Sequence, residues 1–408
     1  MVRPPTIDYD VVRALFAAGN SVPSIASKAG VGERRIRQVV CDLRPGPLPV
    51  PDDAELDTMI VEQRKQLGAN YGIVMMEGAL HFGYPGLQCS RRRIAAALQR
   101  LYPAEFKARV DWAVLRLERA HYDGHHFMHS VHLDFDGKFQ EYGLHVGSMV
   151  EGVSRAEMAL VALTTKIPIA AYLHIFLPFV LHYGFPDQLI TDKGKEWVLI
   201  AFVCHLMHAR YRPHVHRPMH HAVEQSKFNT RVEKFNFEIN VRCFIPLRLL
   251  TNAMEATAIL DKLKPLHVGA FSTLMQPLLQ VGLDRLAHVW NHHRVRAVRG
   301  LPGSGGRPCD RALKFPNPTP PMAVPVGFDG VAEYEAGLPA LRREPEGAPQ
   351  HDALYGQLAA QQQRAAGVAN AVGGATHQQL WEDILAGQYR RFITGYVTYL
   401  QLSGVSVP

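Results

Sequence analysis

Apolar residues recur at two different spacings along the chain, and the change of spacing separates a helical region from a mixed one. In the N-terminal part they follow the helical period, as at Val12, Leu15 and Phe16. In the central part they alternate with other residues, as at Leu133 and Phe135, which predicts a strand. We therefore expect an all-helical N-terminal region followed by a region that combines strands and helices.

Turn-forming residues and shifts in composition divide the chain further. Gly and Pro cluster at Pro45-Gly46-Pro47 and again in the stretch after residue 300. We predict five segments: a helix-turn-helix unit (1–46), a second helix-turn-helix-like unit (52–105), an α/β block with a helical extension (106–300), a Pro- and Gly-rich linker (301–330), and a tail that is partly helical or disordered (331–408).

The last predicted helix of each N-terminal unit carries a group of arginines. Their guanidinium groups are suited to phosphates and to guanine edges, so they are candidate DNA-binding residues. The alternative is that they are solvated side chains on small helical bundles. Successive helical residues are about 100° apart, so three adjacent arginines cannot all face one groove. The candidates are Arg34, Arg35 and Arg37 in the first unit and Arg91, Arg92 and Arg93 in the second.

Within the central block the predicted order is three strands, a helix, a strand, a helix, a strand and a helix. The first long helix fits residues 168–183, and the fifth strand fits residues 211–216. Acidic residues fall at three points of this order. Asp134 lies on the first strand, Asp192 follows the fourth strand, and Glu233 lies at the start of the last helix.

These motifs resemble those of D-D-E integrases and transposases, whose catalytic core has the ribonuclease-H-like fold. The second and third motifs of that family are similar to T-D-K-G at 191–194 and N-T-R-V-E-K-F-N at 229–236. H-L-D-F-D-G-K-F at 132–139 and V-E-G-V-S-R at 150–155 resemble its first strand and following hairpin. W-N-H-H at 290–293 is similar to an element of eukaryotic transposon-derived integrase-core proteins.

The resemblance covers roughly residues 50–300. It implies an α/β fold with a ribonuclease-H-like mixed five-stranded sheet flanked by helices, preceded by the two small all-α helix-turn-helix units. It also implies a catalytic and metal-binding triad of Asp134, Asp192 and Glu233. Two Mg²⁺ (or Mn²⁺) ions about 3.5–4 Å apart would activate water to nick the DNA, and then the freed 3′-hydroxyl to attack target DNA.

Further residues gain roles from the same resemblance. Lys193, Lys195, Arg231 and Lys234 are candidates to hold the DNA backbone. Asn229 and Asn236 are candidates to orient the third carboxylate or the scissile strand.

The chain also departs from the family pattern at three positions. Val131 replaces a tryptophan, Glu151 replaces an aspartate, and Asp136 adds a carboxylate that could compete with Asp134 as a ligand.

Composition and charge narrow the classes of protein. The 408 residues carry a formal net charge of +7 and are 47% hydrophobic, which indicates a packed core and permits a polyanionic partner. Five cysteines without a C-x-x-C pair argue against a disulfide framework or a thiolate zinc site. No secretory signal is expected, because residues 1–9 contain no apolar stretch. No membrane span is expected, because the uncharged stretch 167–185 contains two prolines and two histidines.

We therefore expect an intracellular protein, nuclear if eukaryotic, that acts on double-stranded DNA and forms a homo-oligomer on it. Two alternatives stay open: a catalytically silent DNA-binding protein that keeps the core as a scaffold, and a nuclease acting on RNA–DNA hybrids. Histidines clustered before the third motif are interpreted as surface residues rather than zinc ligands. Trp197, Phe235 and Phe237 are interpreted as core or hairpin-facing aromatics rather than base-stacking ones.

Overall fold

Seven helices precede the sheet in the part of the chain that the structure describes. In this computed structural model, residues 9–17, 22–43, 50–112, 125–223, 229–295, 305–343 and 358–406 are described. The helices before the sheet are α1 (Tyr9–Ala17), α2 (Val22–Ala29), α3 (Glu33–Leu43), α4 (Asp53–Leu67), α5 (Ile73–Gly83), α6 (Arg91–Leu101) and α7 (Pro103–Trp112). The first three enclose a small apolar cluster of their own, with Val12, Ile25 and Ile36 fully buried.

Helix starts in this region follow the capping residues of the sequence. Asp52 and Glu55 form a reciprocal capping box at the start of α4, and the Ser90 hydroxyl accepts the N–H of Arg93 at the start of α6. These caps satisfy donors that the first turn of a helix leaves without a partner.

Five strands form one mixed sheet in the order β3-β2-β1-β4-β5. They are β1 (Val131–Asp136), β2 (His145–Glu151), β3 (Glu157–Leu163), β4 (Leu189–Thr191) and β5 (His220–Ala222). The first three are antiparallel neighbours, whereas β1–β4 and β4–β5 are parallel. The predicted five-stranded mixed sheet with flanking helices is confirmed.

The position of the fifth strand was predicted wrongly. Residues 211–216 are not a strand, because α10 (Val198–Tyr211) continues to Tyr211 and a loop then carries the chain to His220. A strand parallel to its neighbour requires a crossover that returns the chain to the same end of the sheet. Helix and loop together supply that return, so pairing starts only where His220 lies opposite Leu189.

The predicted helix over residues 168–183 is present but is interrupted by a π turn. It consists of α8 (Pro168–Ala171), a π segment (Tyr172–Phe176) and α9 (Leu177–Tyr183). Pro178 falls just after the π segment inside this continuous helix, where its missing N–H removes a hydrogen bond to the preceding turn. This element packs its Ile175 and Phe176 into the apolar cluster on one face of the sheet.

The other face of the sheet is covered by helices that follow it in the chain. They are α11 (Thr230–Ile239), which passes through a π segment (Asn240–Phe244) into α12 (Ile245–Ala256), and the long α13 (Pro265–His292). The last helices are α14 (Pro308–Lys314), α15 (Gly330–Glu335), α16 (Leu358–Ala371), α17 (His377–Leu385) and α18 (Arg390–Leu402). Buried residues of α4–α6, α11–α13, α17 and α18 share one apolar cluster.

The described part of the Pro- and Gly-rich stretch lies against the core. The N–H of Phe185 donates to the carbonyl of Met322 at 2.8 Å, and the N–H of Phe127 donates to the carbonyl of Phe315 at 2.6 Å. Asp310 and Arg311 on α14 are buried. The segment therefore follows the surface of the α/β block, at least where it is described.

Candidate catalytic carboxylate site

Asp134 is a buried carboxylate in the centre of the sheet. It lies on β1 with 7% of its surface exposed. Its Oδ1 accepts the N–H of Phe135 at 2.9 Å, and its Oδ2 accepts the amide of Asn236 at 3.0 Å. Both oxygens have a donor, so the orientation of the carboxylate is fixed by the sheet on one side and by α11 on the other.

Asp192 lies at the same end of the parallel strands as Asp134, because β4 runs parallel to β1. Val131 pairs with Leu189, and continuing this register by three residues places Asp192 beside Asp134. Neighbouring strands are about 4.8 Å apart. The Oδ1 of Asp192 accepts the N–H of Gly194 at 3.0 Å and the indole N–H of Trp197 at 2.6 Å.

Trp197 has a role that the sequence interpretation missed. Its ring is buried and stacks on Phe135 at a centroid distance of 4.9 Å, as expected of a core aromatic. Its indole N–H nevertheless points at Asp192. A tryptophan five residues after the aspartate was the available signal, because the short turn at Gly194 brings the two together.

Glu233 is held near these aspartates by asparagines on the same helix. Asn229, at the start of α11, donates its amide to the carbonyl of Leu133 at 3.1 Å. Asn236, three residues after Glu233, donates to Asp134 and accepts from the hydroxyl of Ser148 at 3.1 Å. The helix is therefore attached to β1 on both sides of Glu233.

Electrostatics show that the three carboxylates are close enough to interact. Burial, together with the negative charges of Asp192 and Glu233, raises the pKa of Asp134 to about 7. A shift of this kind identifies a place where negative charge accumulates in a poorly solvated setting. Among the described residues, however, no group of three or more His, Cys, Asp or Glu side chains is arranged to hold a metal ion.

Asp136 lies on the same face of β1 but is held separately. Asn240 donates to its Oδ2, and the N–H of Lys138 donates to its Oδ1 at 3.1 Å. Burial raises its pKa, whereas these hydrogen bonds lower it. Asn240 stands four residues after Asn236, which was the signal that both asparagines face β1.

One comparison with known proteins gives a match. Residues 127–302 match the family model of the integrase core domain. This region of the chain is similar to an integrase core domain. No curated protein matches the chain. The family predicted from the D-D-E motifs is confirmed, and since integrase cores act on nucleic acid, the cationic candidates can be placed relative to this core.

Cations border the carboxylate site of the integrase core. Lys193 and Lys195 are exposed in the turn after Asp192, and Lys234 is exposed next to Glu233. Arg231 is partly buried on the same helix. Their roles in binding the DNA backbone stay a prediction.

The two N-terminal groups of arginines differ in their surroundings. Arg34, Arg35 and Arg37 are exposed on α3, where Arg37 pairs with Glu33 at 3.3 Å. On α6, Arg91 makes two hydrogen bonds to the buried Glu77, at 2.7 and 2.8 Å, and Arg93 pairs with Asp53 at 2.7 Å. Of the second group, Arg92 is the one that is exposed.

One of the histidines before the third motif supports the site indirectly. The hydroxyl of Thr191 donates to the carbonyl of Asp192 at 2.8 Å, so the ring N–H of His220 must donate to that hydroxyl, at 3.0 Å. Burial lowers the pKa of His220 to about 4, and the ring is neutral at pH 7.

None of the described helices is long and apolar enough to cross a membrane.

Proposed function

We propose that this integrase core cleaves DNA strands and transfers them to a target with Asp134, Asp192 and Glu233 as its catalytic carboxylates. The observation that carries the proposal is the parallel register of β1 and β4. It brings Asp192 beside Asp134, while Asn229 and Asn236 attach the helix of Glu233 to the same strand. Residues that are distant in the sequence are thus carried on neighbouring elements of the fold.

The chemistry of these side chains fits divalent cations. Carboxylate oxygens are hard ligands of the kind that Mg²⁺ and Mn²⁺ prefer. Burial raises the pKa of Asp134, and the repulsion by Asp192 and Glu233 that adds to this rise is what a cation would relieve. Asp134, Asp192 and Glu233 would hold two such ions, which when bound stabilise charge on the attacking and leaving oxygens of a phosphodiester.

The chain's own residues would set the geometry of the reaction. Trp197 and Gly194 hold one oxygen of Asp192, which leaves its Oδ2 directed elsewhere. Ser148 orients the amide of Asn236, so that Asn236 presents its N–H to Asp134. Lys193 and Lys234 would bind backbone phosphates of double-stranded DNA on either side of the scissile bond.

A strand-transfer assay on purified protein tests the proposal. Asp192→Asn keeps the size of the side chain and an oxygen acceptor for Trp197, but removes the charge. We expect this variant to lose strand transfer, whereas Asp136→Asn, at a buried position on the strand that carries Asp134, keeps it. Equal activity of wild type and Asp192→Asn would refute the assignment.

One observation favours the alternative of a catalytically silent DNA-binding protein. The described carboxylates are not arranged to hold an ion as they stand, so they would have to move together to do so. A ligand that binds the folded state raises its stability, so thermal unfolding with and without Mg²⁺ or Mn²⁺ separates the two functions. The catalytic proposal predicts a stabilisation that Asp192→Asn abolishes, and the silent scaffold predicts none.

A further inference from the structure

Phe237 is a large apolar side chain at the rim of the carboxylate site. It lies one helical turn after Glu233 on α11, and 55% of its surface is exposed, so the interpretation of Phe237 as a core or hairpin-facing aromatic was wrong. Residues four apart lie on the same face of a helix, and their Cα atoms are about 6 Å apart along its axis. A single exposed apolar residue needs no explanation by itself. The position of Phe237 beside the candidate catalytic residue Glu233 does need an explanation.

The neighbours of Phe237 around α11 define which way its face is directed. Successive residues of a helix are about 100° apart, which places Asn236 and Asn240 on the side of α11 that contacts β1. Glu233 lies next to Asn240 around the helix. Phe237 lies about 40° beyond Glu233, toward solvent. The hydrogen bonds of Asn236 to Asp134 fix this orientation. Phe237 is therefore on the solvent side of the carboxylates and not on the opposite face of the helix.

Positive charge accompanies the exposed ring. Lys234 precedes Phe237 by three residues on α11 and is exposed, and Lys193 and Lys195 are exposed across the site in the turn after Asp192. Cations that bind the backbone, together with an aromatic side chain on which a base can stack, are the composition of sites that bind single-stranded nucleic acid.

We propose that Phe237 stacks on an unpaired base of the DNA strand that is cleaved. The ligand is an unpaired nucleobase, and the inference rests on the proposed function because it places the scissile phosphodiester at Asp134, Asp192 and Glu233. The spacing of about 6 Å between Glu233 and Phe237 along α11 compares with about 3.4 Å per nucleotide of a strand. The stacked base is thus close to the scissile phosphate.

The competing occupant of this face is protein. Ile245 and Leu249 on α12 are 44% and 57% exposed, and they continue a row of apolar side chains from Phe237. The π segment (Asn240–Phe244) between the two helices adds a residue to the turn, which brings Ile245 back under Phe237. A second copy of the chain would bury the whole apolar row, whereas a base would stack only on the aromatic ring of Phe237.

Fluorescence of 2-aminopurine tests the stacking directly. The full-length protein is titrated, without divalent cations, into a short duplex with an unpaired 3′ tail that carries 2-aminopurine, and into a blunt duplex of the same sequence. Aromatic stacking quenches this base. We expect wild type and Phe237→Trp to quench it. Phe237→Ala and Phe237→Leu are expected to lose the quenching and about 5- to 150-fold in affinity for the tailed DNA.

Leu249→Ala is the matched control, because Leu249 is equally exposed on the same row. We expect it to bind tailed DNA like wild type. Stacking is overturned if Phe237→Leu binds and quenches normally, or if Leu249→Ala loses affinity as Phe237→Ala does and both change the oligomeric state in sedimentation. No chemistry occurs without the ions, so a failure of stacking is distinguishable from a failure of strand transfer in Asp192→Asn.

Discussion

Asp134 and Glu151 are both carboxylates buried in the same sheet, yet their surroundings are opposite. Glu151 lies at the end of β2, fully buried, where it accepts hydrogen bonds from the N–H of Met128 and from the N–H and hydroxyl of Ser154. Asp134 has two donors and faces two further carboxylates. Glu151 is thus surrounded by hydrogen-bond donors, whereas Asp134 also has like charges beside it.

This difference teaches how to separate a structural carboxylate from a functional one at equal burial. A buried charge is tolerated when hydrogen bonds satisfy it, as at Glu151, where they fasten the β2–β3 turn to the segment before β1. A buried carboxylate beside other carboxylates costs folding free energy unless a cation neutralises the group. Such an arrangement is typical of a site that binds an ion.

The largest expected effect comes from removing the charge at Asp134. Asp134→Asn should lower strand-transfer activity by roughly 1,000-fold, because several kcal/mol of transition-state stabilisation depend on ions bound there. The folded protein should persist, since an asparagine can still accept from Phe135. Circular dichroism and denaturant unfolding check that the variant is folded. Near-normal activity in a folded variant would contradict the assignment of Asp134 as a functional carboxylate.

Glu151→Ala should have the converse effect, on stability rather than on catalysis. It leaves the N–H groups of Met128 and Ser154 buried without their acceptor, which should lower the free energy of unfolding by about 3 kcal/mol. Urea unfolding measures this loss. Glu151→Gln keeps one acceptor oxygen and should lose less. If strand transfer per folded molecule fell as far as in Asp134→Asn, Glu151 would not be merely structural.

A pH series on Glu157 sharpens the comparison with a third buried carboxylate. Glu157 accepts from the N–H of Met149 at 3.3 Å, and its Oε2 is buried without a hydrogen-bond partner among the described residues. Burial raises the pKa of Glu157 well above its ordinary value. The folded state therefore binds the proton more tightly than the unfolded state. This contribution to stability is present at acid pH and lost as the pH rises through the folded pKa.

The corresponding variant is Glu157→Gln, which mimics the protonated form. It should match wild type near pH 4 and be the more stable of the two at pH 8, by about 1.4 kcal/mol for each unit by which the pKa of Glu157 is raised. Thermal unfolding across that pH range measures the difference. A variant less stable than wild type at pH 8 would show that the charged form is satisfied in the fold.

The smallest effects concern the arginines, where the same contrast between satisfied and exposed charge recurs. Arg35→Ala on α3 should reduce the slope of log affinity for duplex DNA against log salt by about one unit, if the arginine neutralises one phosphate. Arg91→Ala should leave that slope unchanged and instead destabilise the fold, because Arg91 neutralises the buried Glu77. Salt titrations of DNA binding distinguish the two.

The sheet and the candidate triad could be predicted from the sequence because their signals are local. Leu133 and Phe135 alternate within β1, and T-D-K-G and N-T-R-V-E-K-F-N each mark a turn or helix start with a carboxylate at a defined place. The order of these elements along the chain was enough to identify the integrase core.

What could not be predicted depends on contacts between distant residues. The start of β5 depends on how far α10 runs before the loop that leads to His220. The partner of Ser148 depends on the register of β2 and on the docking of α11, which places Ser148 opposite Asp134 and within reach of Asn236. The pairing of Arg91 with Glu77 depends on the packing of α6 against α5.

Binding of Mn²⁺ measured by electron paramagnetic resonance tests the central claim most directly, because free and bound ions give different signals. The account predicts that the wild-type protein binds two Mn²⁺ ions per chain. It also predicts that Asp192→Asn loses this binding and that Asp136→Asn retains it. Binding that is absent in wild type, or equal in wild type and Asp192→Asn, would contradict the claim that these carboxylates share divalent cations.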